Sequence, residues 1–309
     1  MTTFNNFLCG TPSSDYIFDE DDYDTQIVKA SNFIKDSDYV LIGAGAGMSS
    51  AAGAIYGGEW FKENFKEFID KYGEDNPYMS DMYSAGFYPY TSEEAYWGYW
   101  SKQCMLAGIN ADHTPLHKVL LDMLKNKEIF CLSTNADGQF EKAGLSKEKI
   151  FTTQGDYFHI QCAKGCHQKT YDAIKLFKQM DEARRDCLIP HYMVPKCPIC
   201  GGRMNMNLRI DNYFVEDEDW HLAQRRFAQF LDTALKSKKK FCLLEVGVGF
   251  NTPTIIRFPF ERLVKKYDNC YLVRLNLNEA VIPSSIKDKC VGINADMAKS
   301  INDLSNNMK

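Results

Sequence analysis

Cys162-Ala-Lys-Gly-Cys166 and Cys197-Pro-Ile-Cys200 are two cysteine pairs at CxxxC and CxxC spacing. Each short loop presents two sulfurs to one point, and the intervening stretch brings the second pair back to it, so four thiolates can close on one tetrahedral zinc. A closed four-sulfur shell is a structural site, because a catalytic zinc keeps a position open. Pro198 and Gly201-Gly202 tighten the second knuckle into a turn. The competing reading is a set of buried free thiols, since cysteine is also a small core hydrophobe.

Upstream, Tyr39-Val-Leu-Ile42 is a short apolar run ending in Gly43-Ala-Gly-Ala-Gly-Met-Ser-Ser-Ala-Ala-Gly53, with helical spacing before it from Ile27 to Ile34. Strand, glycine loop and helix in that order form a nucleotide-binding α/β unit, where missing side chains let backbone amides approach a pyrophosphate. The same loop also serves as a tight strand-to-helix turn without a ligand. Neither Gly43 nor Gly45 begins a GxGxxG spacing, which disfavours a hydride-transfer dinucleotide site. Further apolar strands at Ile129–Leu132, Phe241–Val246 and Cys270–Arg274 lead into Ser133-Thr-Asn-Ala-Asp137, Gly247-Val-Gly249 and Asn276. This rhythm predicts an α/β fold, a Rossmann-like open parallel sheet with ligand loops at its carboxyl edge.

Between the glycine loop and the second strand lies an aromatic-rich stretch, with helical spacing across Trp60 to Tyr72 and again at Tyr96 to Trp100. Most of these rings are core, and a helical insertion of about 56–112 is placed to roof a cofactor or receive a partner. His117 falls in a helical stretch after Pro115, and Trp220 to Leu235 is amphipathic. Lys236, Lys238, Lys239 and Lys240 read as a solvated helix end. The resulting division is an N-terminal extension over 1–30, an acidic tail or loosely attached first helix; a Rossmann-like domain over 31–160 and 207–309; and a zinc-binding module over 161–206. A net charge of -5 gives no general reason to bind nucleic acid. Eleven cysteines, no signal peptide and no apolar run of transmembrane length predict a cytoplasmic protein off the membrane.

Taken together, the chain resembles the sirtuin family over about residues 35–300, and more closely its macrodomain-linked, microbial class of protein ADP-ribosyltransferases. Gly45-Ala-Gly-Met-Ser49 with Ala52-Gly53 is similar to the sirtuin GAGxS...AG loop, and Thr134-Asn-Ala-Asp137 with Ala143-Gly144 to its xNxD...AG segment. Cys162, Cys166, Cys197 and Cys200 fall where the family's metal module falls. Gly247-Val-Gly249, Asn276 and Asp296 sit where its late NAD loops would be. The departures are as specific. Deacylases of the family carry His-Gly shortly before the first zinc cysteine, and here Gln154-Gly155 stands there. Ile55-Tyr-Gly-Gly58 replaces Pro-Asp-Phe-Arg, and Phe140 stands where a histidine follows the xNxD segment.

The resemblance implies NAD as co-substrate and structural zinc. It also implies that Ser49 and the backbone around Ala46 and Gly47 meet phosphate, with Gly45 and Gly53 in the same NAD-binding loop, that Gly247, Val248, Gly249, Asn251 and Thr252 line the same edge, and that Asn276 and Asp296 fix the adenosine end. Asn135 would hold the nicotinamide ribose and reacting face, with Asp137 orienting the nicotinamide side or its loop and Thr134 beside them in the NAD site; capping of a following helix is the plainer role for Asn135 and Asp137. Arg257 is the one arginine read as an exposed phosphate contact. Gln154 can position a ribose hydroxyl, but its amide has no proton equilibrium near neutrality and cannot act as a base. Asn135, Asp137 and Gln154 are thus the expected catalytic set for protein ADP-ribosylation. The implied acceptor is a lipoylated glycine-cleavage H-like carrier, and the implied reversing partner a macrodomain hydrolase. A deacylase, an NAD glycohydrolase and a noncatalytic NAD-binding zinc scaffold are the alternatives.

Overall fold

The computed structural model describes residues 15–309; the first part of the extension, with Cys9, lies outside them. Among the described residues eleven strands run in chain order: β1 (Tyr16–Ile17), β2 (Tyr39–Ala44), β3 (Glu128–Ser133), β4 (Ile150–Thr152), β5 (Gly155–Cys162), β6 (Thr170–Asp172), β7 (Met204–Leu208), β8 (Phe241–Val246), β9 (Cys270–Asn276), β10 (Ile282–Pro283) and β11 (Cys290–Asn294). Six of them form one parallel sheet in the order β11-β9-β8-β2-β3-β4. β8 is buried along its whole length and β2 over all but Tyr39, the pattern of strands covered on both faces. That is why these strands read as continuous apolar runs rather than alternating ones. The register pairs Tyr39 with Phe241 and Glu128, and Ala44 with Val246 and Ser133.

Helices cover both faces. Tyr23–Asp36, Thr114–Met123 and Met297–Asn307 pack on one side through Ile27, Ile34, Leu120, Ile301 and Leu304. Glu218–Lys236 and Arg257–Lys266 pack on the other through Ala234, Phe260 and Val264. The first helix starts four residues before the predicted Ile27, because Asp22 caps it by accepting the Thr25 amide at 3.0 Å. The lysine run closes the helix Glu218–Lys236 in ion pairs with Asp232, Asp38 and Asp36.

The second lobe is the one whose organisation the spacing did not foretell. β6-β5-β7 form a small antiparallel sheet that begins before and ends after the cysteine segment. Its core is continuous with the helical insertion: Phe61, Phe65, Phe68 and Trp97 pack in one cluster with Cys162, Phe177, Cys197 and Met204. Insertion and cysteine module therefore stand or fall together. Among the described residues no helix is long and apolar enough to cross a membrane.

Candidate active site

Strand β2 is flanked by β3 on one side and β8 on the other, so the chain leaves it in one direction and returns in the opposite one. Loops at the carboxyl ends of strands diverge at such a reversal and leave a crevice. Here the crevice is a cavity of about 730 Å³ between the sheet edge and the second lobe. Gly45, Ala46 and Gly47 reach it from β2, Thr134, Asn135 and Asp137 from β3, and Gly247, Val248, Gly249, Asn251 and Thr252 from β8. Asn276 at the end of β9 and Gln154 before β5 complete the sequence-expected lining.

Four expected residues are elsewhere. Ser49, read as a phosphate contact, is fully buried behind the wall: its hydroxyl donates to Asp137 and accepts the Asn135 amide at 3.0 Å. Gly53 closes the turn after the helix Ala46–Ala51, donating its amide to Ser50. Asp296 caps Met297–Asn307, accepting the Lys299 amide at 2.7 Å. Arg257, read as exposed, is wholly buried. Phe140 is core, with its ring edge-on to His117 at 4.8 Å.

Side-chain geometry gives Asn135 a defined orientation. Its Nδ2 donates to the Gly45 carbonyl and to Ser49 Oγ, both at 3.0 Å, so its carbonyl oxygen is the end of the amide without a hydrogen-bond partner among the described residues. Asp137 supports this arrangement from behind: one oxygen takes the Ser49 hydroxyl and the other the Gln139 amide at 3.2 Å. Gln154 is fixed through its backbone, whose carbonyl accepts the Arg209 amide at 3.0 Å. Gly155 beside it has φ +80, and a Cβ there would lie 1.8 Å from the Asn207 carbonyl. Only glycine fits that position, so the Gly of the pair serves the fold.

The cavity's remaining wall includes the roof expected of the insertion, formed by Tyr56, Tyr83 and Trp100, together with Tyr157 of β5 and Arg209 just past β7, which sequence reasoning missed. The Tyr56 and Tyr83 rings lie 5.1 Å apart. Burial, then the neighbouring Tyr83 and Asp137, pushes the Tyr56 phenol far up, so it stays protonated and neutral. Arg209 is held by Thr153 O at 3.3 Å and Glu216 at 2.6 Å, with its guanidinium 4.2 Å from the Phe214 ring centre. The aromatic density announced an insertion, but no spacing signalled Arg209.

The loops from β2 and β8 touch backbone to backbone. A Cβ on Gly47 would come within 2.7 Å of Gly247 Cα, and one on Gly247, at φ +64, within 2.2 Å of the Met48 nitrogen. The bare glycines are thus required first by loop packing. Gly247→Ala is expected to cost about 2–3 kcal/mol, from the left-handed backbone and the forced separation of the loops. Urea denaturation without NAD measures this. Loss of NAD binding in a Gly47 variant would accordingly reflect the fold as much as any pyrophosphate contact.

At the far end of β5 the four cysteine sulfurs lie within 4.8 Å of one another, with Cys162 and Cys200 3.7 Å apart and Cys166 and Cys197 3.6 Å apart. A tetrahedron of Zn–S bonds of about 2.3 Å has edges of about 3.8 Å. The cluster therefore fits zinc in size and in donor softness, and no position is left for a substrate.

Fold and cavity define a protein of sirtuin-type architecture. The chain is similar to a Sir2 enzyme bound to a myristoylated histone peptide (TM-score 0.53, 14% identity, 93% of this chain and 97% of that one). It is equally similar to a Sir2 homologue in complex with ADP-ribose (TM-score 0.54, 15% identity, 91% and 95%). At such identities the likeness speaks for the fold. No family model matches the chain. A protein ADP-ribosyltransferase of Staphylococcus aureus is 32% identical over 286 residues, covering 92% of this chain and 88% of that protein. A probable bifunctional ADP-ribose hydrolase/ADP-ribosyltransferase of Fusarium oxysporum is 30% identical over 88% of this chain and 46% of its own length. The chain belongs to the protein ADP-ribosyltransferase family of sirtuin fold.

Proposed function

We propose that this enzyme transfers ADP-ribose from NAD to a protein acceptor, releasing nicotinamide, and that it has little or no deacylase activity. The observation that carries the reading is the absence of a free base in the cavity. Among the described residues none of the six histidines lines it, Gln154 is an amide, and both Asp137 oxygens are engaged. Sirtuin-type deacylation needs a base for the ribose hydroxyl after nicotinamide has left. ADP-ribosyl transfer needs only that NAD be held bent while its glycosidic bond breaks, the bonding pair leaving with neutral nicotinamide and a protein nucleophile closing on C1, any proton that nucleophile carries passing to solvent.

In this reading the Asn135 carbonyl oxygen faces the ribose and stabilises its developing positive charge, with Ser49 and Asp137 keeping the amide in orientation. Gln154 positions a ribose hydroxyl. The 247–252 loop and Asn276 hold the nucleotide, and amide donors of the glycine loop meet the pyrophosphate. Cys162, Cys166, Cys197 and Cys200 would hold zinc, which would fasten the second lobe and leave the reaction to the cavity. The acceptor is proposed to be a lipoylated H-like carrier and the reversing partner a macrodomain hydrolase, as in the macrodomain-linked class; the Fusarium relative, whose name joins both activities, supports such a pairing.

Incubation with labelled NAD and a panel of lipoylated and unlipoylated carriers, read by mass spectrometry, should find ADP-ribose covalently attached to an acceptor. Removal of acetyl or longer acyl groups with no attached ADP-ribose would make it a deacylase. Nicotinamide release without an acceptor would make it a glycohydrolase, and NAD binding without turnover a sensor.

A further inference from the structure

The β8 loop that forms one wall of the cavity is braced from behind by the chain's N-terminal segment. β1 pairs antiparallel with β10, Tyr16 opposite Pro283 and Ile17 opposite Ile282, which carries the Tyr16 side chain to the loop from 247 to 252. There the Tyr16 ring meets Phe250 edge to face, with centroids 5.8 Å apart and planes at 86°. The other partner of Phe250 is Arg257, whose guanidinium lies 4.1 Å from its ring centre. Its backbone amide donates to Glu279 Oε2 at 3.1 Å. Phe250 is thus gripped by a cation, a carboxylate and an aromatic edge, while its neighbours Gly249, Asn251 and Thr252 face the cavity.

Beneath the loop the grip is rigid. The Tyr16 hydroxyl donates to Glu261 Oε2 at 2.9 Å. Glu261 accepts from Arg274 at 2.9 Å, and Arg274 forks onto Glu245 at 2.7 and 2.9 Å. Arg257 and Arg274, both fully buried, also bond the carbonyls of Glu279 and Val281. These charges join strands β8 and β9, which carry Glu245 and Arg274, to the helix Arg257–Lys266, which carries Arg257 and Glu261, and have little freedom to move. Tyr16 joins Arg257 and Glu279 in tying this fixed base to a loop otherwise rich in small and polar residues.

We propose that Tyr16 is a positioning residue for NAD, holding Phe250, and through it the 247–252 loop, in the conformation that receives the nucleotide. This rests on the reading that the cavity binds NAD. Two parts of the side chain act separately. The hydroxyl fastens the segment to the ionic base, and the ring sets the loop. An aromatic pair of this kind is worth a factor of about three to ten in an equilibrium constant.

The test uses the full chain with Tyr16→Phe, Tyr16→Ala and Tyr16→Leu, titrated calorimetrically with NAD well below their melting temperatures. Tyr16→Phe is expected to lower the melting temperature yet keep NAD affinity within about twofold, since the ring remains. Tyr16→Ala, and Tyr16→Leu should the smaller residue leave the chain unfolded, is expected to weaken NAD binding about three- to tenfold. In a Phe250→Ala background the same changes should leave affinity unaltered, because the contact is already gone. Wild-type affinity in folded Tyr16→Ala or Tyr16→Leu would overturn the proposal, as would an equal loss in the Phe250→Ala background. A wild-type enzyme that binds no NAD would defeat the underlying reading as well, so the two failures are distinguishable.

Discussion

Cys162→Ser, or the same change at Cys166, Cys197 or Cys200, is expected to cost the protein its zinc and most of the cooperative stability of its second lobe. Zinc sites built on four thiolates bind with apparent free energies of about 10 kcal/mol or more, which is comparable with the whole stability of a domain. Cys162 and Cys197 are also buried in the cluster that contains Phe61, Phe68 and Trp97. Loss of the ion should therefore loosen the insertion along with the knuckles, and Tyr56, Tyr83 and Trp100 with it, as part of the cavity wall. Elemental analysis of protein purified without chelator should give one zinc per chain, and thermal melting should show a large drop in the variants. Because the cluster has no open position, stability should fall before chemistry does. Folded, soluble protein with well under one zinc per chain would overturn the assignment.

Fold and site were not equally legible in the sequence. Phe241–Val246 is a strand in both, because full burial on two faces demands an unbroken apolar run. Tyr39–Ala44 runs two residues further than its apolar run, into the glycines, since backbone pairing with β3 and β8 does not need side chains. Residues on the edge loops were legible because a strand end fixes their place. What the sequence hid were side-chain directions and long-range meetings. Ser49 turns inward to Asp137 rather than outward to a ligand, a choice made by the β3 loop far along the chain. Arg209 comes beside Gln154 only through the pairing of Gly155 with Leu208. Arg257 reads as a surface arginine until Glu245, Phe250 and Glu279 are seen around it.

Asn135→Ala is expected to lower ADP-ribosyl turnover about a hundredfold, close to 3 kcal/mol in the barrier, with a smaller loss of NAD affinity. The reasoning follows from where its amide is spent. Both Nδ2 hydrogens are committed to Gly45 and Ser49, so the carbonyl oxygen is held toward the cavity without reorganisation when charge develops on the ribose. A dipole fixed in advance acts on the transition state more than on bound NAD, so turnover should suffer more than binding. Ser49→Ala should reproduce part of the effect without touching the cavity surface, because it removes one of the two acceptors that orient the Asn135 amide and leaves Asp137 short of a donor. Gln154→Ala should slow transfer too, through lost ribose positioning. Single-turnover kinetics with saturating NAD and acceptor separate these steps. Equal losses in binding and turnover for Asn135→Ala would reduce it to a binding contact, and undiminished turnover would remove it from the reaction.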